Sequence, residues 1–149
     1  MKNQLIVAID FDRTIANTDY PRIYGAFEGA KEVINKWYEQ GIYIIIWTCR
    51  TGRSVLEAEK FLLDNGFKFH KINEHHPNGL LNFGTDAQMD HRLDSRKIWS
   101  HILIDDTSID WMKNGHPGWF KLDEDMQYII SNKPGHWDVL PNNEPVVCI

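Results

Sequence analysis

The chain has 149 residues and a formal net charge of −5, and no run of Lys or Arg exceeds two residues. That excludes the clustered cations of a nucleic-acid footprint. Its length predicts one domain, 1–149, able to bury about two thirds of the surface the unfolded chain exposes. The longest apolar run, Ile42–Trp47, falls far short of the ~20 residues a membrane helix needs. No cationic stretch followed by a long apolar one opens the chain, so no signal peptide is expected. Two cysteines, Cys49 and Cys148, cannot make a disulfide framework, and a reducing cytoplasm is the expected compartment.

Leu5–Ile9 is an apolar run rich in Ile and Val, which predicts a strand buried on both faces. It runs into Asp10 and Asp12, spaced two apart, and then Thr14. Ligands of open α/β sheets bind just beyond the carboxyl ends of such strands. The alternative is an Asp pair whose side chains bond nearby backbone in a turn. Ala16–Tyr24, with Asn17, Asp19 and Pro21, has no helical period and reads as a loop over the strand end. From Glu28, the residues Ala30, Val33, Ile34, Trp37 and Tyr38 form one stripe of an amphipathic helix, stopped by Gly41. Ile42–Trp47 is a second buried strand, ending at Thr48-Cys49-Arg50.

Ser54 reads as the N-cap of a helix through Leu63, with Val55, Ala58 and Leu62 on one face and Asn65-Gly66 closing it. Phe67–Ile72 is a third strand, interleaved with Lys68, His70 and Lys71. Residues 73–94, containing Pro77, Asn78-Gly79 and Phe83-Gly84, form a loop-rich insertion of a length that usually has a functional reason. One helical turn is expected at Ser95–Trp99 and a fourth buried strand at His101–Ile104, running into Asp105-Asp106. Ser108–Met112 reads as a helical turn, Trp119–Leu122 as a fifth strand, Asp123–Ser131 as a last helix, and 132–149 as an irregular tail. The alternation predicts an α/β fold: a central, mostly parallel sheet between helical layers, a three-layer Rossmann-like domain.

Three strand ends thus carry polar residues, Asp10/Asp12, Thr48 and Asp105/Asp106, and Lys97 leads into the fourth strand. A hard divalent ion such as Mg²⁺ takes oxygen ligands and keeps several waters, so two or three carboxylates suffice. Phosphoryl transfer needs mainly positioning and charge neutralisation. Lys97 and Mg²⁺ would supply positive charge, and Thr48 a hydroxyl for a phosphate oxygen. Asp10 can serve as a nucleophile through an aspartyl-phosphate. Asp12 can protonate the leaving oxygen and then take a proton from water.

Over Leu5–Asp106 the chain resembles the haloacid-dehalogenase superfamily of phosphohydrolases, with four motifs in order. Asp10-Phe11-Asp12-Arg13-Thr14 looks like the first, Thr48 the second, Lys97 the third and Asp105-Asp106 the fourth. The resemblance implies a Mg²⁺-dependent phosphatase acting on a small phosphate monoester, with Asp10 the nucleophile and Asp12 the general acid/base. It also implies that Thr48 and Lys97 hold the phosphate. Asp10, the main-chain carbonyl of Asp12, and Asp105 would bind Mg²⁺, with Asp106 helping directly or through water. The gaps between motifs are too short for a cap domain, so the chain is similar to small capless members from bacteria and phages. Arg13 stands where relatives most often have Gly. It and Arg50 are candidate substrate contacts, with a solvated loop residue as the other reading of Arg13.

The histidines His70, His75, His76 and His91 lack a zinc-ligand spacing, and His75 and His76 are expected to edge the cleft or face solvent. Asn73-Glu74 either lines the cleft or makes a turn. Trp111, Trp119 and Trp137 serve the core or, alternatively, a homo-oligomer interface. A phosphorylation-receiver domain would place its acidic pair first and its Lys last, the reverse of the order here. The surviving alternative is a catalytically silent protein of the same fold that binds a phosphorylated or nucleotide ligand.

Overall fold

A computed structural model describes residues 3–79, 97–132 and Pro141. The chain order is β1 (Ile6–Ile9), β2 (Ala16–Asp19), β3 (Arg22–Ala26), α1 (Ala30–Glu39), β4 (Tyr43–Ile46), α2 (Gly52–Asp64), β5 (Lys71–Ile72), β6 (Ile102–Ile104), α3 (Ile109–Asn114) and α4 (Trp119–Asn132). A four-stranded sheet of order β5-β4-β1-β6 forms the centre, and every described pairing in it is parallel. β1 and β4 are wholly buried, which is why both read as continuous apolar runs rather than alternating ones. Helices flank the sheet in a Rossmann-like α/β arrangement.

Alternate β1 residues serve opposite faces. Val7 and Ile9 join Ile44, Ile46 and Ile104 in a core closed by Val33, Ile34 and Trp37 of α1, Ala58 and Leu62 of α2, and Trp119 and Met126 of α4. Ile6 and Ala8 meet Tyr43, Ile45 and Ile98 on the other face, with Trp47 and Trp99 packed against them. α1 and α4 are also joined by polar contacts. Asp123 accepts from Trp37 Nε1 at 2.9 Å and pairs with Lys36 at 2.7 Å. Gly29, the N-cap of α1, has φ 80°, a backbone conformation that favours glycine, and a Cβ there would lie 3.0 Å from the exposed Phe120 ring. No helix among the described residues is long and apolar enough to cross a membrane.

Several local expectations are corrected. Ala16–Tyr24 is not a loop. Residues 16–26 form an antiparallel hairpin, β2 with β3, bulged between Asn17 and Thr18. Most of its residues are exposed or half-buried, so no apolar alternation marks it. Trp119–Leu122 is the first turn of α4 and not a strand; Trp119, Leu122, Met126 and Ile130 follow the helical period that a four-residue apolar window is too short to reveal. α2 starts earlier than expected, with Thr51 as N-cap and Ser54 at the third helical position, the two forming a reciprocal capping box. The third strand shortens to Lys71–Ile72. Residues 97–99 are not helical. Most of the 73–94 insertion, Ser95, nearly all of the 132–149 tail, His91, Trp137 and Cys148 lie outside the described residues.

Candidate active site

Parallel pairing of β1 with β6 places Ile9 opposite Ile104, so the residues after them, Asp10 and Asp105, emerge side by side. The Asp10 amide continues the ladder, donating to the Ile104 carbonyl at 2.9 Å. One carboxylate oxygen from each of Asp10, Asp105 and Asp106 lies within 4.8 Å of the others. This crowding has an electrostatic consequence. Burial, a hydrogen bond with the Asp106 carboxyl and the Asp105 charge push Asp10 up to about 8, against a smaller opposing contribution from Thr14. Three hard oxygen donors at this spacing are a donor set that suits a small divalent cation.

Three neighbours hold the trio. The Thr14 hydroxyl donates to Asp10 Oδ2 at 3.0 Å and accepts from the Asp106 amide at 3.2 Å. Arg13, in the left-handed region at φ 60°, directs Nε to Asp106 Oδ2 at 3.0 Å from a side chain 67% exposed. Asp105 accepts from the Thr107 amide and hydroxyl, both at 2.9 Å, which turns its carboxylate with the loop. A cavity of about 310 Å³ beside Asp105 is lined by Ile102, Ile104, Trp111, Leu122 and Met126.

Asp12 points elsewhere. Its carboxylate takes a forked pair of bonds from Arg50, at 2.9 Å from Nε and 2.7 Å from Nη2. The Arg50 guanidinium is stacked by Phe11 at 5.2 Å and Tyr20 at 5.1 Å, and Nη1 donates to the carbonyls of Pro21 and Ser54. Burial acts to raise the Asp12 carboxyl, but hydrogen bonds from Arg50 and Thr18 and the charges of Arg50 and Arg13 outweigh it and hold the group below its ordinary value. Thr48, at the end of β4, is buried; its hydroxyl accepts from the Arg50 amide at 3.1 Å, and its own amide donates to Asn73 Oδ1 at 2.8 Å.

No protein-family model matches the chain, and no curated protein does. A solved structure described as a conserved protein from Bacteroides thetaiotaomicron is similar to it, with a TM-score of 0.67 and 27% identity, covering 84% of this chain and 91% of that one. The fold is shared.

The sequence-derived residues therefore divide. Asp10, Asp105 and Asp106 converge, with Arg13 against Asp106. The Asp12 carboxylate is engaged by Arg50 and is not one of the three clustered carboxylates. Arg50, expected to contact substrate, is 1% exposed and bound to Asp12, which corrects that expectation. Lys97 is exposed immediately before the buried Ile98. His76 neither edges the cleft nor faces solvent. It is fully buried, 3.0 Å from Gln4 Oε1 and edge-on to Tyr43. Asn73 takes the strand-end position, bonded to Thr48 and to the Ile46 carbonyl, which favours the turn reading. Trp119 is in the core, and half-buried Trp111 packs against it, so both serve packing. His116 escaped the sequence reading altogether. Its Nε2 meets the Thr14 carbonyl at 3.0 Å across 102 residues, a contact no local spacing announces.

Proposed function

We propose that the chain is a Mg²⁺-dependent phosphatase of the haloacid-dehalogenase type, acting on a small phosphate monoester. The observation that carries the reading is the convergence of Asp10, Asp105 and Asp106 at the ends of two adjacent parallel strands. Asp10, Asp105 and Asp106 would hold the cation, with the main-chain carbonyl of Asp12 joining by the resemblance. A bound cation would keep Asp10 ionised and neutralise charge on the phosphoryl oxygens.

In this scheme Asp10 Oδ attacks phosphorus, forming an aspartyl-phosphate as the bond from phosphorus to the ester oxygen breaks. Asp12, ionised while paired with Arg50, would take up a proton from solvent on leaving that pair and give it to the departing ester oxygen. Asp12 then takes a proton from water, whose oxygen displaces Asp10 and releases inorganic phosphate. Thr48 and Lys97 are assigned to the phosphate, and Arg13 to its approach. Asp12 must exchange Arg50 for the ester oxygen to act, so Arg50 is assigned to holding Asp12 between turnovers.

The experiment is Mg²⁺-dependent hydrolysis of p-nitrophenyl phosphate by the chain and by Asp10→Asn. Turnover lost in Asp10→Asn, with the fold retained by circular dichroism, supports the reading. Wild-type turnover in that variant means another group attacks. The forked Asp12–Arg50 pair favours a second reading, a binding protein that holds a phosphorylated ligand without turnover. Ligand binding with no hydrolysis of any phosphoester selects it.

A further inference from the structure

The stretch between α3 and α4 turns back onto the loop that follows β1. The Thr14 carbonyl accepts two bonds there, from His116 Nε2 of that stretch at 3.0 Å and from Nε1 of Trp119, the first residue of α4, at 3.0 Å. The imidazole tautomer follows from its partners. Nδ1 accepts from the Gly118 amide at 2.9 Å, so the proton belongs on Nε2, facing a carbonyl that can only accept. The ring is held by Phe27 at 4.9 Å and Trp111 at 4.5 Å. Thr14 itself is fully buried.

On its other side Thr14 joins two carboxylate residues, donating from Oγ1 to Asp10 and accepting there from the Asp106 amide. A carbonyl with both lone pairs engaged cannot rotate without losing both bonds, and its residue carries the hydroxyl with it. We propose that His116 and Trp119 are positioning residues of the carboxylate trio, setting through Thr14 how Asp10 and Asp106 face each other. The proposal rests on the trio being a cation site, yet part of its test does not.

The test uses the full chain and the variants His116→Phe and His116→Gln. Phe keeps an aromatic ring without the donor; Gln returns an N–H near the position of Nε2. Amide exchange followed by NMR in the metal-free protein reads the Asp106 amide, and calorimetric titration reads Mg²⁺ affinity. In His116→Phe, Asp106 protection should fall by about tenfold or more while Ile6–Ile9 amides keep theirs. Mg²⁺ should bind about tenfold more weakly, the usual cost of losing a group that orients a ligand. His116→Gln should recover much of both, and Trp119→Phe should lose Asp106 protection in the same local way. Unchanged Asp106 protection in His116→Phe overturns the proposal. So does loss shared equally with β1, or a His116→Gln variant as impaired as His116→Phe, since either assigns the effect to packing. A wild-type chain that binds no Mg²⁺ refutes the phosphatase reading, and the exchange data then decide the positioning role by themselves.

Discussion

Arg50 holds Asp12 by two bonds from inside the protein, its side chain 1% exposed against 20% for its partner. Such a pair is an arrangement whose parts cost more to remove than the whole contributes. Arg50→Ala should destabilise the chain by about 3 kcal/mol, because Asp12 loses its counter-charge and the space between Phe11 and Tyr20 empties. Arg50→Lys should recover only part of this, since an ammonium cannot make the fork or the stack. Urea unfolding followed by circular dichroism measures both. A change in Arg50→Ala below about 0.5 kcal/mol would place the pair among ordinary surface ion pairs.

Metal-free stability should fall on the alkaline side through Asp10. Its carboxyl is raised from 3.8 to about 8 in the folded chain, so between those values the native state keeps a proton that the unfolded state has lost. The stabilisation is complete below 3.8 and disappears as pH rises through about 8. Asp10→Asn should flatten this limb, and so should saturating Mg²⁺, because a cation replaces the proton. Thermal melts from pH 6 to 9 with and without Mg²⁺ test it; an unchanged limb in Asp10→Asn would contradict the assignment.

On the acid side the histidines behind the sheet take over. Burial is the main cause that lowers His70 and His76 from 6.5 to about 4, with each also facing another imidazole. His70 stacks on Tyr43 at 4.3 Å, and its Nδ1 accepts from the Ile44 amide, a bond that protonation there would abolish. The unfolded chain binds these protons first, so the stabilisation is complete above 6.5 and is lost as pH falls through about 4. With the Asp10 limb this places the metal-free optimum near pH 6.5. His70→Gln or His76→Gln should reduce the acid slope in melts from pH 7 to 4, whereas an unaltered slope in both would assign it elsewhere.

Arg13 should act against metal binding. Its guanidinium already neutralises Asp106, so Arg13→Ala should bind Mg²⁺ about two- to fivefold more tightly and inorganic phosphate more weakly. The backbone at φ 60° adds a second signature. Arg13→Gly should be more stable than Arg13→Ala by about 1 kcal/mol, since only Gly occupies that region without strain. Calorimetry and unfolding measure the two effects separately. Weaker Mg²⁺ binding in Arg13→Ala would show that Arg13 supports the cation instead of competing with it.

Much of the centre was legible because burial on both faces leaves a simple mark. Leu5–Ile9 and Ile42–Trp47 each contain a strand so buried and end near the polar residue the sequence singles out. His101–Ile104 also contains a strand, but at the edge of the described sheet with Leu103 52% exposed, not the buried strand expected. Where burial is partial the mark fades. The 16–26 hairpin shows little apolar alternation, and Trp119–Leu122 is too short to separate a strand from the first turn of a helix.

The sequence by itself determined the α/β class and put Asp10 and Asp105-Asp106 directly after apolar runs; the side-by-side parallel pairing of those runs, which brings the three carboxylates together, came from the tertiary structure. Only the tertiary structure decided which partner each group meets. It turned Asp12 toward Arg50, closed Thr14 between Asp10 and His116, and buried His76 beneath the sheet. Apart from Thr14 with Asp10, these contacts join residues tens of positions apart, and their geometry depends on how helices and loops pack over the strands, which no local spacing encodes.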